Sequence, residues 1–457
     1  MLIGGLLLSG IIGVFSKDNQ KVSKYIYYGL YALQHRGQAS AGISINNNGF
    51  IDYEKNLGLV GDVFTSEVIN RLIGNIAIGQ VRYASHSEKR SKINSEPLVV
   101  GYKNGALSIC MDGALANYKE LREKLEENGH LFQTDLAVEV IASLIAKYHK
   151  DSLLDAIKKA LSEVKGSYSL IIMTKDSLIA ARDPHGIRPL SIGKIGDDFI
   201  FSSETCAIEC IGGEFIRDCD PSEIVIIDSN GIRSEKLQSK KRALCIFELV
   251  YLARPDSYID KRYVYTSRFN AGEILYTECP IKADIVIGAP DSGTVAAIGY
   301  AKKSQIPYTE GIIKNRYIGR TFIEPTQDIR EEGVRIKLNP LTSNIKGKDL
   351  ILVDDSIVRG TTIKRTVEML RNAGAKSVHV RIASPPVKHS CFLGVDTPNE
   401  ENLIANYMTV EEIRKAINAD SLYFISLEGL VEASGGNNGF CKGCFNGEYP
   451  VKRLKEE

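Results

Sequence analysis

The sequence has almost no net charge: 57 lysines and arginines face 56 aspartates and glutamates over 457 residues. So even a balance creates no global field, which excludes electrostatic capture of nucleic acid or of an anionic membrane as an organising property. Also missing is any apolar run of bilayer length. The uncharged stretch from Met1 to Phe15 has no basic segment ahead of it and meets Lys17 and Asp18 short of the roughly 18 residues that a membrane span requires. It reads as a short leader followed by a buried first strand. Internal repeats and low-complexity segments are absent. The nine cysteines are odd in number and scattered, which suits a reducing cytosol better than a disulfide framework. With 44% apolar residues, the chain can fill the cores of roughly two to four domains.

What is present is more specific. Residues 350–362 read LILVDDSIVRGTT. The apolar run suits a buried parallel strand that delivers Asp354 and Asp355 to its carboxyl end, where open α/β sheets bind ligands. Ser356 follows, and Arg359, Gly360, Thr361 and Thr362 open a helix. Its first turn offers unpaired N–H groups, two hydroxyls and the positive end of the macrodipole, all suited to a phosphate. Two adjacent buried carboxylates repel each other unless a cation or sugar hydroxyls sit between them. Upstream, Lys314, Arg316 and Arg320 surround Gly319, with Tyr317 and Phe322 interleaved. This stretch reads as a lid over a polyanion or as a plain basic surface loop. Cys441-Lys-Gly-Cys444 is a CxxC, and its spacing alone suits a zinc half-site, a redox pair or neither.

Two halves can be distinguished. Up to about Asp228, β-branched strands such as 170–173 and 223–227 are broken by helical stretches at 117–128 and 136–149, which predicts an α+β layered sandwich. From about Ile281, strands at 285–288, 350–353 and 377–382 alternate with helices such as 363–372, which Gly374 stops. That order predicts an α/β domain with a parallel sheet. The basic run Lys240, Lys241, Arg242 reads as a solvated boundary between the halves.

Further strings are LQHRGQ (33–38), ARDPHGIRPL (181–190), SETCAI (203–208), CIFELVYLARPDS (245–257), IGAPDSG (287–293), IKNRYIGRTFI (313–323) and SLEGLVEASG (426–435). Together they span nearly the whole chain and resemble the glutamine phosphoribosylpyrophosphate amidotransferase (amidophosphoribosyltransferase) family. The resemblance implies an N-terminal nucleophile hydrolase-like glutamine amidotransferase domain over 1–235. A type I phosphoribosyltransferase domain with a C-terminal cluster-binding segment is implied over 236–457. The implied product is 5-phosphoribosylamine, made from phosphoribosyl diphosphate in the first step of purine synthesis. Mg²⁺ maps to Ser292, Asp354 and Asp355, the 5′-phosphate to Ser356 and to Arg359 through Thr362, and diphosphate contacts to Lys314 and Arg316. A [4Fe–4S] cluster maps to Cys245, Cys391, Cys441 and Cys444. A cytoplasmic homo-oligomer is implied as well.

The amino-terminal half departs from the family pattern. Ser9 falls where the family has a cysteine nucleophile whose own α-amino group is the base, and a hydroxyl is far less ionised than a thiol. Asp112, in Met111-Asp112-Gly113-Ala114, replaces the asparagine of an Asn-Gly pair that helps form the oxyanion hole. A carboxylate there would put negative charge where an oxyanion must develop. Leu136-Ala137-Val138 replaces a Ser-Asp-Thr that grips the glutamine α-amino end. Arg82, the partner of the glutamine carboxylate, is kept, but its neighbours Ala84 and Ser85 differ. The expectation is a transferase with an impaired glutaminase, using free ammonia or ammonia from a separate glutaminase partner. The alternatives are a glutamine-dependent enzyme using Ser9 after loss of residues 1–8, a non-catalytic regulatory paralogue that binds phosphoribosyl diphosphate, and a transferase with another acceptor.

Overall fold

The structure is a computed structural model describing residues 8–18, 21–83, 91–315, 338–436 and 439–453. In the first half two antiparallel sheets lie face to face. One has seven strands, in the order Glu214–Asp218, Ser191–Ile195, Asp198–Ser202, Ser9–Phe15, Ile76–Arg82, Ser40–Asn47 and Phe50–Leu57. The other has six, in the order Gly231–Lys236, Glu223–Asp228, Leu178–Arg182, Gly166–Met173, Gly105–Leu115 and Leu98–Tyr102. The expected α+β sandwich is therefore present, with the predicted helices at Tyr118–Glu127 and Ala137–Tyr148.

Side-chain alternation decides what faces what. Ile11 and Phe15 enter the layer between the sheets with Ile76, Ile78, Cys110 and Ile171. Ile12 and Val14 point the other way, against Ile26 and Leu30 of the helix Ser23–Ala32. On the second sheet Leu107, Ile109 and Met111 face the outer helices Ala137–Tyr148 and Leu153–Glu163. By the same parity Ser9, Arg82 and Asp112 fall on the inter-sheet side. Ser9 and Arg82 are direct partners in the strand register, so all three meet at one end of the layer.

The second half holds a four-stranded parallel sheet, ordered Ile285–Gly288, Asp349–Asp354, Ser377–Ile382 and Ser421–Phe424. Ile351 and Val353 pack with Ala271, Leu275, Ala296 and Ala297 from the helices Val264–Glu278 and Thr294–Ser304. Leu350 and Leu352 pack with Ile363, Val367 and Leu370 of Thr361–Asn372 on the opposite face. Cover on both faces is why this strand reads as an unbroken apolar run. Leu244–Cys245 pairs in parallel with Phe440–Cys441, tying the C-terminal segment to the connection between the halves. The basic boundary differs in one respect from its expected solvated state. Lys240 and Lys241 are exposed, but Arg242 Nη2 reaches the buried Asp260 Oδ1 at 3.1 Å. Among the described residues no helix is long and apolar enough to cross a membrane.

Candidate active site

The strand Asp349–Asp354 ends at the predicted carboxylates. Asp355 N–H donates to Asp354 Oδ1 at 2.9 Å, and Ser356 Oγ donates to Asp355 Oδ2 at 2.5 Å. Neither carboxylate has a lysine or arginine within ion-pair distance among the described residues. Burial, and then the Asp355 charge beside it, push the Asp354 carboxyl well above the usual range. The loop from the neighbouring strand comes very close: a Cβ at Gly293 would lie 2.4 Å from the Val353 carbonyl oxygen and 2.9 Å from Asp354 Cα. Only glycine tolerates that approach, and it brings Ser292 to the same small cavity as Asp355. Gly360, at φ 79°, caps Thr361–Asn372 with no side-chain hydrogen bond to the helix, leaving its first N–H groups available. Arg359, Thr361 and Thr362 are exposed around that end. Lys314 is ion-paired with Asp291 of the adjoining loop. From Arg316 to its end at Gln327 the expected lid lies outside the described residues.

The second cluster surrounds Ser9. Its nitrogen is a peptide N–H that donates to Asp112 Oδ1 at 3.0 Å, and its carbonyl accepts from Arg36 Nε at 2.9 Å. Asp112 is in turn gripped by Arg36 at 2.8 Å and Arg188 at 3.2 Å. Both guanidiniums also meet Glu248 at 2.9 Å, and Arg36 meets Glu204 at 2.8 Å. All five side chains are fully buried. Burial opposes the charge on Arg36, yet Glu248, Asp112 and Glu204 hold it protonated well above its usual range. Burial would also raise Glu204, but His35, 2.7 Å away, and Arg36 hold its carboxyl well below the usual range. The electrostatic reason expected for Asp112 needs correction: its charge is matched by two arginines and tied to a backbone N–H rather than left facing an oxyanion.

The cavity beside Ser9 is bounded by Arg82, Glu96, Met111, Gly113, Leu136 and Ala137, and its volume is about 10 Å³. That is about one water's worth of space. Arg82 Nε lies 4.0 Å from Glu96 Oε1, so the arginine already faces a carboxylate of the chain. Leu136 and Ala137 line the cavity with apolar groups. Ala84 and Ser85 lie outside the described residues.

The four singled-out cysteines meet in the C-terminal half. Cys245 and Cys441 are partners in the short parallel strand pair, Cys391 is buried in the same core, and the half-buried Cys444 packs against it. All four are free. Burial raises every one of the thiols, Cys441 to about 12, and the other three raise Cys444 further. Among the described residues no three His, Cys, Asp or Glu side chains close on a single metal ion. A zinc ion needs that closure, whereas a four-iron cube takes one thiolate per iron from a wider ring.

The glutamine amidotransferase domain family matches residues 83–210, and the phosphoribosyl transferase domain family matches 261–388. An amidophosphoribosyltransferase of Archaeoglobus fulgidus is 44% identical, with 98% of this chain and 99% of the relative aligned. That of Bacillus subtilis is 44% identical over 97% of this chain and 94% of its own length. A solved glutamine phosphoribosylpyrophosphate amidotransferase from B. subtilis, complexed with ADP and GMP, superposes with a TM-score of 0.92 at 44% identity over 98% of both chains. The chain belongs to the amidophosphoribosyltransferase family. As in that family, it joins a glutamine amidotransferase half to a type I phosphoribosyltransferase half and is a pentosyl transferase.

Against this amidophosphoribosyltransferase frame, sequence reasoning found the carboxylate pair, the phosphate loop and the four cysteines. It missed the buried charge network. Arg36, Arg188, Glu204 and Glu248 all lie within the matching strings, and the available signal was a charged residue embedded in an otherwise apolar or glycine-rich run. Arg268 was also missed. It is held by the Leu249 and Ala253 carbonyls at 2.9 and 2.7 Å and lines the cavity that Asp355 and Ser292 share. A lone arginine in a helix gives no sequence signal, nor does Glu96.

Proposed function

We propose that this amidophosphoribosyltransferase makes 5-phosphoribosylamine from phosphoribosyl diphosphate with ammonia as its nitrogen source, its own glutaminase being disabled. One contrast carries the reading. Among the described residues the carboxylates at 354 and 355 have no lysine or arginine in ion-pair reach, as befits groups that await a ligand. The arginine at 82, beside Ser9, already faces the carboxylate of Glu96.

In this reading the chain binds the 5′-phosphate through Ser356, the Arg359–Thr362 turn and the free N–H groups of the helix behind it. Asp354 and Asp355 face the ribose hydroxyls and, with Ser292, hold Mg²⁺. When bound, Mg²⁺ neutralises charge on the departing diphosphate. Lys314 exchanges Asp291 for a diphosphate oxygen, and Arg316 acts with it. Departure of diphosphate leaves oxocarbenium character at C1, which ammonia attacks. The chain's contribution is position and fixed charge. Supporting the disabled glutaminase, residue 9 carries a hydroxyl rather than a thiol, and Leu136 and Ala137 offer nothing to an α-ammonium group. We assign the four buried thiols to a [4Fe–4S] cluster, place the domain boundary at residue 235, and take the compartment to be cytoplasmic.

The test compares ammonium with glutamine in phosphoribosylamine formation by anaerobically purified protein with Mg²⁺. Turnover with ammonium alone is expected. Equal turnover with glutamine overturns the disabled glutaminase. Ser9 still lines the cavity with Gly113, so intact mass then decides whether residues 1–8 have been removed to free its amine. Turnover with neither leaves a phosphoribosyl diphosphate-binding regulatory protein.

A further inference from the structure

Arg188 has one edge that the network around Ser9 does not use. Nε and Nη2 are committed to Asp112 at 3.2 and 3.3 Å, and Nη2 also to Glu248 at 2.9 Å. Nη1 is buried with no hydrogen-bond partner. A fully buried, always charged guanidinium does not ordinarily leave a donor idle, since the desolvated N–H costs on the order of 1–3 kcal/mol. The residue before Arg188 is tied to the Cys245 segment. Residue 187 accepts from Cys245 N–H at 3.0 Å. The Arg188 charge lies close enough to act on Cys245, Cys391 and Cys441.

The Cys391 loop also touches the Asp112 strand directly. Ser167 Oγ donates to the Leu393 carbonyl at 2.7 Å and accepts from Ala114 N–H at 3.3 Å. A Cβ at Gly394 would lie 3.1 Å from Gly113 Cα. Four thiolates around any cationic centre carry net negative charge into a buried space, and a buried charge needs a counter-charge.

We propose that Arg188 is the counter-cation of the four-cysteine site, its Nη1 donating to the bound group's sulfur. One guanidinium then serves that site on one edge and the Ser9 strand, through Asp112, on the other. This rests on the cluster reading given above. A positive charge and a hydrogen bond at the sulfurs both favour the reduced, more negative cluster, so Arg188 raises its potential.

The experiment measures iron and acid-labile sulfide in anaerobically purified protein, then the reduction potential of the wild type and the variants Arg188→Met, Arg188→Lys and Asp112→Asn. Arg188→Met is expected to disfavour reduction at least tenfold, about 59 mV for one electron. Arg188→Lys, which keeps the charge but loses the fork, is expected to fall between it and the wild type. Asp112→Asn removes a competing carboxylate and is expected to shift the potential the opposite way. If Arg188→Met does not fold, the other two variants carry the test. Wild-type protein without iron overturns the cluster reading and this inference with it. Full iron in all four proteins with unchanged potentials overturns the inference alone.

Discussion

Asp354, half-buried, and Asp112, fully buried, are both acids on strands, and the fold treats them in opposite ways. Asp354 sits beside another carboxylate with no cation in ion-pair reach among the described residues, and its proton affinity is raised. Asp112 lies between two arginines and a backbone N–H. An acid left uncompensated costs stability in the empty protein and is retained for what it binds. An acid compensated on every side is part of the frame. The difference separates a site from a strut without reference to which half is called catalytic.

The largest effect is expected where the strut is broken. Arg36→Met leaves Asp112, Glu204 and Glu248 short of a buried counter-charge and should cost about 3–5 kcal/mol in urea unfolding. A cost below 1 kcal/mol would show the network to be incidental. Next comes the site. Asp355→Asn should reduce ammonium-dependent diphosphate release by about 10²–10³-fold while leaving the unfolding midpoint intact or raised. Loss of both together would erase the distinction drawn above.

A smaller effect, on the order of 1–2 kcal/mol, should appear as opposite pH signatures. Asp354 has a raised proton affinity in the fold. Its contribution to stability is full below the unfolded value of about 3.9 and is lost as pH rises through the raised one. Asp354→Asn should therefore stabilise the ligand-free protein at pH 7. Glu204 is depressed in the fold. Its contribution is full above the unfolded value of about 4.3 and is lost as pH falls, so Glu204→Gln should flatten the acid limb of the stability profile. Thermal melts check the signs, from about pH 4 to 8 for Asp354→Asn and from about pH 5 down to 2 for Glu204→Gln. The smallest expected effect is none: Ser9→Cys alone should give no glutamine turnover, because Glu96, Leu136 and the amide at residue 9 remain. A glutamine rate matching that with ammonium would sink the multiply altered pocket.

Much of this was legible beforehand for a local reason. A strand, a turn and a helix N-terminus are set by neighbours in sequence, so 350–362 declared its own geometry, and the observed strand and helix differ from expectation by one or two residues. The Ser9 pocket was only half legible. The substituted positions could be named, but the consequence at Asp112 could not, because its partners Arg36 and Arg188 lie 76 residues away on either side. The expectation of a charge facing an oxyanion treated Asp112 alone, whereas pairing decides its effect. Glu96 escaped notice for the same reason: an acid in a loop has no meaning until the fold sets it against Arg82.

By itself, then, the sequence determined the two-layered first half, the parallel second half, the phosphate turn and the inventory of thiols, since each follows from periodicity and short-range spacing. Tertiary structure alone decided which buried charges are matched, that Arg82 faces Glu96, and that Arg188 is held by Asp112 and Glu248 with one donor left over. Those are properties of distances between residues remote in sequence, and electrostatic energy depends on such distances rather than on residue order.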